Sequence, residues 1–470
     1  MHLINRIGIL LFAMLFINLN SIKIHAQTSL DPEDTRMVSS IFSSTLADGE
    51  THQLLDTLCH KIGHRLSGSE GAKKAVQWTR DVMKDYKFDN VRLQPVTVPH
   101  WERGEKEICQ IVPSASSENI DLSVLAIGGS VATPDDGITA EVVEVFSLDE
   151  VDELGEEVIK GKIVFFNRAF DQTNISSGPG YGGAVDQRAR GASRAAKYGA
   201  AGIVIRSVTS AFDDYPHTGT LIYAKDAPRI PAAALGFKSA DRLTEHLKKD
   251  KDLKLHLKMS CEWHPDAQSH NVMGEIRGSE FPEQVIVVGG HLDSWDVGHG
   301  AHDDGAGCMQ SIMVLRTFQK LGYKPRYTIR AVMFMNEENG TRGGNKYAEV
   351  AKQNNERHLI ALESDAGGFS PRGFGVTARD PVIEKMRSWL PHFDQMTIVF
   401  INKGGGGVDI RPLNTTMNVP LVGLYTDNQR LFDYHHSALD VFENVNRREL
   451  ELGTAAMAAL IYLIDKHGLN

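Results

Sequence analysis

The sequence predicts an α/β protein with a mixed, largely parallel sheet and helices on both of its faces. Apolar runs of strand length alternate with helical patterns through the carboxyl-terminal half, where helices are predicted at residues 305–321 and 447–466. Alternation of this kind is typical of parallel strands joined by helical crossovers. The chain has 470 residues, too many for one ordinary core, so we expect two domains.

The first 26 residues are predicted to be a signal peptide. Arg6 precedes an apolar run at residues 7–17, and a cleavage site is predicted after Ala26. A run of eleven residues is too short to cross a bilayer but suits the apolar core of a secretory signal. We therefore expect an exported protein, periplasmic or secreted.

Residues 27–108 are predicted to form the first part of the main domain. Residues 31–58 have a helical pattern, and Ser69 is a good cap for the amphipathic helix that follows it. Residues 91–98 alternate between apolar and polar, as a strand would.

Residues 109–262 are predicted to form an inserted, β-rich domain, after which the main domain resumes at 263–470. Short strands and glycine-rich turns replace the earlier pattern, with a strand predicted at 161–166 in the centre and a helix predicted at 188–198. Cys109 and Cys261 flank this segment and could form a disulfide after export, but free buried thiols are favoured.

The composition excludes some classes of protein. The formal net charge is −10, which argues against a nucleic-acid partner because such partners are bound mainly through Lys and Arg. No apolar segment after Ala26 approaches the length of a membrane span, so no stable membrane insertion is expected.

Imidazole and acidic groups follow four predicted strands. The strands are predicted at residues 285–288, 327–335, 359–362 and 419–425, and the groups that follow them are His291, Asp303, Glu337, Glu338, Asp365, His435 and His436. The carboxyl ends of parallel strands meet at one edge of a sheet, where ligands bind. Nitrogen and oxygen donors without cysteine suit a catalytic metal site with room for water.

These motifs resemble the co-catalytic zinc peptidases that include bacterial aminopeptidases and glutamate carboxypeptidases. The series is His-x-Asp at His291, Asp-Asp-Gly at Asp303, Glu-Glu at Glu337, Asp365, and His-Ser-x-x-Asp at His436. The resemblance implies the three-layer zinc-exopeptidase fold, of the phosphorylase/hydrolase-like type, with an inserted protease-associated domain. It also implies a homodimer.

The resemblance further implies two zinc ions in each chain. His291, Asp303 and Asp365 would hold one ion, and Asp303, Glu338 and His436 would hold the other, so that Asp303 bridges. A shared carboxylate can hold two cations ~3.5–4 Å apart.

Three further residues are predicted to act in the reaction. Glu337 lies next to a ligand and is predicted to be the general base. Asp293 is predicted to fix the tautomer of His291, although a turn-capping role is open. His435 replaces a tyrosine found in many relatives and could steady the oxyanion, or could simply neighbour a ligand.

Other nearby groups receive weaker predictions. Gly407, the last residue of the four-glycine run at 404–407, and Asp409 just after it are predicted to line the substrate pocket, although the run could equally be the hinge of a mobile lid. The remaining polar residues of the metal loop are predicted not to be ligands, and they are Asp296, His299, His302 and Asp304.

We therefore expect an exported di-zinc exopeptidase that hydrolyses dipeptides or short peptides. Two alternatives remain open within the fold, namely an aminopeptidase with longer substrates and a one-zinc cyclase. A non-catalytic binding module on the same fold is a third.

Overall fold

The computed structural model describes residues 30–114, 118–394 and 396–469, so the predicted signal peptide lies outside the described residues. The strands are β1 Asp89–Glu102, β2 Ile108–Val112, β3 Ile120–Asp121, β4 Val124–Ala126, β5 Ile138–Val145, β6 Ile163–Phe166, β7 Gly202–Arg206, β8 Ala232–Leu235, β9 Lys254–Lys258, β10 Glu262–Ile276, β11 Phe281–His291, β12 Tyr327–Phe334, β13 Arg357–Glu363, β14 Pro371–Thr377, β15 Phe400–Lys403 and β16 Leu421–Thr426. The helices are α1 Pro32–Asp48, α2 Glu50–Thr57, α3 Glu70–Asp85, α4 Leu148–Ile159, α5 Ser177–Ala196, α6 Phe237–Lys249, α7 Ala306–Lys320, α8 Arg342–Gln353, α9 Asp380–Arg387, α10 Arg411–Met417, α11 Leu431–Tyr434 and α12 Arg447–His467.

The first sheet contains the strands that lead to the predicted site. Its order is β1-β10-β12-β11-β13-β16-β14-β15. The central strands β12, β11, β13 and β16 are parallel to one another, whereas β1, β10 and β14 introduce antiparallel pairs. The predicted α/β class with a mixed sheet is therefore confirmed, and the parallel part lies at its centre.

Helices cover both faces of this sheet, as predicted. Along β11, Ile286 and Val288 pack into the core that contains α7 and α12, whereas Val285 and Val287 pack into the core that contains α8 and α10. Successive strand residues point to opposite faces, so a run of apolar residues without alternation marks a strand buried on both sides. This burial fixes the position of the strand that ends in His291.

The second sheet contains every described strand between residues 108 and 258. Its order is β3-β2-β9-β5-β6-β7-β8-β4, with parallel and antiparallel pairs. Three helices, among them the 20-residue α5, accompany it. The segment is therefore mixed α/β and not β-rich as the sequence suggested, because α4 and α6 were not recognised. Its identification as a protease-associated domain stays a prediction.

A long antiparallel ribbon connects the two sheets. The chain leaves the first sheet along β1 and returns along β10, and these strands pair from Asp89 with Glu275 to Glu102 with Glu262. Trp101 pairs with Trp263 near the end of the ribbon that faces the second sheet. The two ends of the intervening segment are thus held side by side.

All four cysteines are free thiols buried in the interior, at positions 59, 109, 261 and 308. Cys109 and Cys261 both lie in the core of the second sheet, but they do not form a disulfide. The sequence allowed a disulfide between them but favoured free thiols, and the structure has free thiols.

Several helices of the main domain follow the sequence pattern closely. The side chain of Ser69 accepts a hydrogen bond from the backbone N–H of Ala72 at 3.1 Å, so the predicted cap of α3 is confirmed. The predicted helices at 305–321 and 447–466 correspond to α7 and α12. Among the described residues, no helix combines the length and apolar character needed to cross a membrane.

Candidate active site

The carboxyl ends of the four central strands bring the predicted ligands together. His291 is the last residue of β11, Glu338 follows β12, and Asp365 follows β13. His436 follows β16 after the short helix α11, and Asp303 lies in the loop between β11 and α7. Because these strands are parallel and adjacent, their ends lie at the same edge of the sheet.

Asp303 lies between two groups of donors. Its Oδ1 is 3.0 Å from Nε2 of His291, which is itself 3.4 Å from Oδ1 of Asp365. Its Oδ2 is 3.2 Å from Nε2 of His436, which is 3.1 Å from Oε2 of Glu338. One carboxylate therefore turns one oxygen toward each imidazole.

The donor atoms fit a metal ion better than they fit one another. Nε2 of His291, Oδ2 of Asp303 and Oε1 of Glu338 are buried, and no hydrogen bond satisfies them within the described part of the chain. Burial and the carboxylate of Asp303 raise the pKa of Glu338 to about 7, against the opposing effect of His436. Buried polar atoms are rarely left without partners, so these donor atoms are suited to bind cations.

Asp293 supports the site through two different contacts. Nδ1 of His291 donates a hydrogen bond to the backbone carbonyl of Asp293 at 2.9 Å, whereas the Asp293 carboxylate lies 3.9 Å away. That carboxylate accepts hydrogen bonds from the backbone N–H groups of Asn336, Glu337 and Glu338. The side chain therefore holds the turn that carries both glutamates, and the tautomer of His291 is fixed by the main chain.

Glu337 lines the cavity beside the ligands. Burial raises its pKa well above the usual value, and the carboxylates of Asp365, Glu338 and Asp303 raise it further, while His291 lowers it. A raised proton affinity is the property that a proton-transfer carboxyl group needs near neutral pH.

His435 and His436 are stacked, with ring centroids 3.5 Å apart. Nε2 of His435 lies 3.5 Å from Oδ2 of Asp303, so both imidazoles face the central carboxylate. His436 has a left-handed backbone conformation, with φ of 61°. The ring of His436 faces Glu338, whereas the ring of His435 also contacts Tyr181.

A cavity of about 780 Å³ opens onto these residues. One wall belongs to the first sheet and contains the acidic residues Asp303, Glu337, Glu338 and Asp365. The lining residues from the segment around the second sheet are Tyr181, Arg188, Thr220, Leu221, Ile222, Tyr223 and Arg229. The cavity thus lies between the two sheets, where small-molecule sites commonly occur.

Gly407 and Asp409, predicted to bind substrate, are not among the described residues that line this cavity. Asp409 is fully buried, and a side chain at Gly407 would collide with the carboxylate of Glu363. These residues pack behind β13, so the structure gives the glycine run a packing role at this point.

The other polar residues of the metal loop have partners of their own. Asp304 accepts hydrogen bonds from the backbone N–H groups of His291 and Gly307, and Asp296 forms an ion pair with Arg103 at 2.5 Å. The rings of His302 and Phe369 stack, and Nδ1 of His299 accepts a hydrogen bond from Phe442. None of the four approaches the cluster in the way that the predicted ligands do.

Two supporting residues were given no role from the sequence. Arg65 is fully buried and donates hydrogen bonds to backbone carbonyls of the metal loop, at Leu292, His299 and Gly300. The carboxylate of Asp440 accepts hydrogen bonds from the backbone N–H groups of His302 and Asp303. In the sequence, Arg65 stands shortly before the cap of α3 and Asp440 stands four residues after His436. The sequence does not show which backbone groups they contact.

The parallel strands at the centre of the first sheet end in a cluster of imidazole and carboxylate donors beside a cavity, which is the donor set of a catalytic metal site. The model of peptidase family M28 matches residues 271–461, which contain all of the predicted ligands. Carboxypeptidase Q of Bos taurus is 36% identical over 418 residues, covering 89% of this chain and 86% of that protein. The chain belongs to peptidase family M28.

The solved structures agree with this assignment. A peptidase M28 precursor from Shewanella amazonensis has a TM-score of 0.87 and 31% identity, covering 92% of this chain and 97% of that one. A zinc aminopeptidase from Bacillus subtilis shares the fold, with a TM-score of 0.63 at 19% identity, covering 88% of this chain and 94% of that one. The predicted zinc metallopeptidase class is confirmed, and the chain is similar to carboxypeptidase Q over most of its length.

Proposed function

We propose that this chain is a di-zinc exopeptidase that hydrolyses dipeptides or short peptides. The observation that carries the proposal is the position of Asp303, which turns one oxygen toward His291 and the other toward His436. His291 and Asp365 would complete one site, and Glu338 and His436 the other. Imidazole and carboxylate donors without thiolate are the set found in catalytic zinc sites. When bound, the ions supply Lewis acidity and lower the pKa of water.

Glu337 is proposed to move the proton during hydrolysis. Its carboxylate accepts a proton from the attacking water and returns it to the nitrogen of the leaving amine. The turn that carries Glu337 is held by the carboxylate of Asp293, through a hydrogen bond from the Glu337 backbone N–H at 3.0 Å. This anchoring keeps the proton acceptor beside the ligand Glu338 while leaving its own oxygens free to act.

His435 is proposed to stabilise the developing oxyanion. Its imidazole lines the cavity, and its Nε2 lies 3.5 Å from Oδ2 of Asp303. A ring N–H of His435 can therefore reach the carbonyl oxygen of a substrate that binds beside Asp303. Donors placed in advance stabilise charge that develops in the transition state.

Short substrates are favoured by the shape of the cavity and by the relatives. Tyr181, Tyr223 and Trp263 line the same cavity as the predicted ligands and supply apolar surface for a small substrate. The relatives that span most of this chain are named carboxypeptidase Q. We propose that the segment around the second sheet is the protease-associated lid, and that the protein is exported after cleavage near Ala26 and forms a homodimer.

The experiment that tests the function combines metal analysis with a substrate panel. Purified protein should contain two zinc ions in each chain and should cleave dipeptides in a chelator-sensitive manner. A comparison of dipeptides with free and blocked ends, and of longer peptides, shows which terminus of the substrate the enzyme recognises. Zinc-loaded protein that cleaves no member of the panel would favour a binding module, and one zinc ion in each active chain would contradict the bridging role of Asp303.

A further inference from the structure

We propose that the ribbon of β1 and β10 binds a metal ion at a site separate from the candidate active site. The donors of this ribbon site are His100 and Glu102 on β1 and His264 on β10. One ring nitrogen of each histidine and one carboxylate oxygen of Glu102 all lie within 4.8 Å of one another. None of the three is among the described residues that line the cavity. The expected ligand is a divalent transition-metal ion of the zinc class, because zinc, copper and nickel all accept imidazole nitrogen.

The pairing of the two strands places these side chains on one face of the ribbon. His100 lies directly opposite His264, and Glu102 lies directly opposite Glu262. Residues two positions apart on a strand point to the same face, so the two pairs are neighbours there. Two histidines that face each other across an antiparallel pair have their Cβ atoms ~4.5–5.5 Å apart, which lets both rings reach one ion.

The distances within the ribbon site suit one shared ion. The ring centroids of His100 and His264 are 4.6 Å apart. Nε2 of His100 lies 3.1 Å from Oε1 of Glu102, and Nε2 of His264 lies 3.5 Å from Oε2 of the same carboxylate. A tetrahedral zinc ion with ligands at ~2.0–2.1 Å separates its donors by about 3.3 Å. The three side chains therefore need only small rotations to surround an ion, and water can complete the coordination.

One donor of the ribbon site is buried without a hydrogen bond. Nε2 of His264 has no hydrogen-bonding partner within the described part of the chain, although Glu102 is close to it. Buried polar atoms normally have a partner, so this nitrogen is suited to bind an ion. The other ring nitrogen, Nδ1, lies 3.8 Å from Oε1 of Glu262. A carboxylate on that side can orient a metal-binding imidazole, as the partners of such histidines usually do.

An ion in the ribbon site joins the strand that leads into the second sheet to the strand that leads out of it. Trp101 and Trp263, which alternate with the donors along β1 and β10, lie directly opposite each other. Trp101 packs into the core of the second sheet, and Trp263 lines the cavity. Metal binding on one face of the ribbon therefore fastens two residues that connect it with the second sheet and with the cavity.

The test counts the zinc ions bound to the purified protein as free zinc is raised. Equilibrium dialysis followed by elemental mass spectrometry should find one more zinc ion in each chain of wild-type protein than in His264→Gln when binding saturates. The ribbon site has three donors and is open to solvent, so dialysis against zinc-free buffer should remove its ion before those of the active site. The measured quantity is a difference between two proteins, so it does not depend on how many ions the active site holds.

Further variants separate the ribbon site from zinc bound elsewhere. His100→Gln should lose the additional ion as His264→Gln does, with a Kd raised by more than the roughly 10- to 100-fold that loss of a supporting partner costs. Glu102→Gln keeps a neutral oxygen and should raise the Kd by a smaller factor. The control is His270→Gln, which replaces a half-buried histidine of β10 opposite Pro95 and should bind the additional ion as wild-type protein does.

Hydrogen exchange measures the fastening of the ribbon directly. At a zinc concentration 100 times Kd, openings that break the site should become rarer by up to about 100-fold, so exchange of the backbone amides at residues 99–103 and 262–265 should slow. The same zinc should leave this exchange unchanged in His264→Gln. An additional ion that does not slow the exchange in wild-type protein would contradict the fastening role.

Equal zinc counts in wild-type protein and His264→Gln would overturn the ribbon site, as would loss of the additional ion in His270→Gln. Dipeptide hydrolysis that is retained in His264→Gln shows that the variant is folded, and His100→Gln provides a second measurement of the same loss. Failure of wild-type protein to cleave any dipeptide would overturn the proposed function instead, and it would leave the comparison of zinc counts valid.

Discussion

Thr218 and His436 exchange two hydrogen bonds across the cavity wall. The backbone N–H of Thr218 donates to the carbonyl of His436 at 2.9 Å, and Nδ1 of His436 lies 3.3 Å from the carbonyl of Thr218. The second bond directs Nε2 of His436 toward Asp303 and Glu338. A residue of the second sheet's connections therefore orients a predicted ligand of the first, which is how partners of a metal-binding histidine usually act.

Replacing Glu337 by glutamine should separate metal binding from turnover. Gln keeps the size of the side chain but cannot accept the proton of water, so Glu337→Gln should retain its zinc and lose roughly 100- to 10,000-fold in kcat. Zinc content and steady-state dipeptide hydrolysis measure the two effects. Full activity in this variant would show that another group accepts the proton.

Replacing Asp303 should remove metal as well as activity. Asp303 is placed between both donor groups, so Asp303→Ala should weaken both sites together. Saturating zinc should stabilise wild-type protein against thermal unfolding, by about 2.7 kcal/mol at a zinc concentration 100 times Kd, and chelator should reverse this gain. In Asp303→Ala most of the gain should be lost. The same zinc-dependent stabilisation in both proteins would contradict a bridging role.

Arg65 is expected to hold the metal loop in shape. Its guanidinium donates to the carbonyls of Leu292 at 2.7 Å, His299 at 2.6 Å and Gly300 at 2.9 Å. Arg65→Met leaves these buried carbonyls without donors, so the free energy of unfolding should fall by about 3 kcal/mol and zinc affinity should weaken. Chemical denaturation and zinc titration measure the changes. The exposed Arg36, replaced in the same way, should leave both quantities near the wild-type values.

The sequence predicts the strands and the cluster well because both depend on local signals. The apolar residues 285–288 must lie in a strand buried on both faces, and the groups that follow adjacent parallel strands must meet at one edge. The contact of Arg188 with His436 could not be predicted in this way, since the two residues are 248 positions apart and meet only when the second sheet packs over the first. The carboxylate of Asp293 likewise bonds to the turn at 336–338 because of tertiary packing.

The stability of the protein should fall in mild acid because of His358. Burial and the charge of Arg330 together lower the pKa of His358 to about 4, against the opposing effect of Glu356. Its Nε2 lies 2.9 Å from the hydroxyl of Tyr347, which can donate only to the neutral imidazole. The unfolded chain binds the proton with a pKa near 6.5, so between about pH 6.5 and pH 4 the unfolded state carries more protons and stability falls as the pH falls.

His358→Gln should therefore lose less stability than wild-type protein when the pH is lowered from 7.5 to 5. The expected difference is about 2 kcal/mol, as calculated for a histidine whose pKa is 6.5 unfolded and 4 folded. Denaturation curves of both proteins at the two pH values measure it, and any loss of zinc in acid cancels because the two share the same site. His246→Gln, at a half-exposed position on α6, should lose as much stability as wild-type protein does. Parallel losses in wild-type protein and His358→Gln would show that His358 does not contribute to the acid sensitivity.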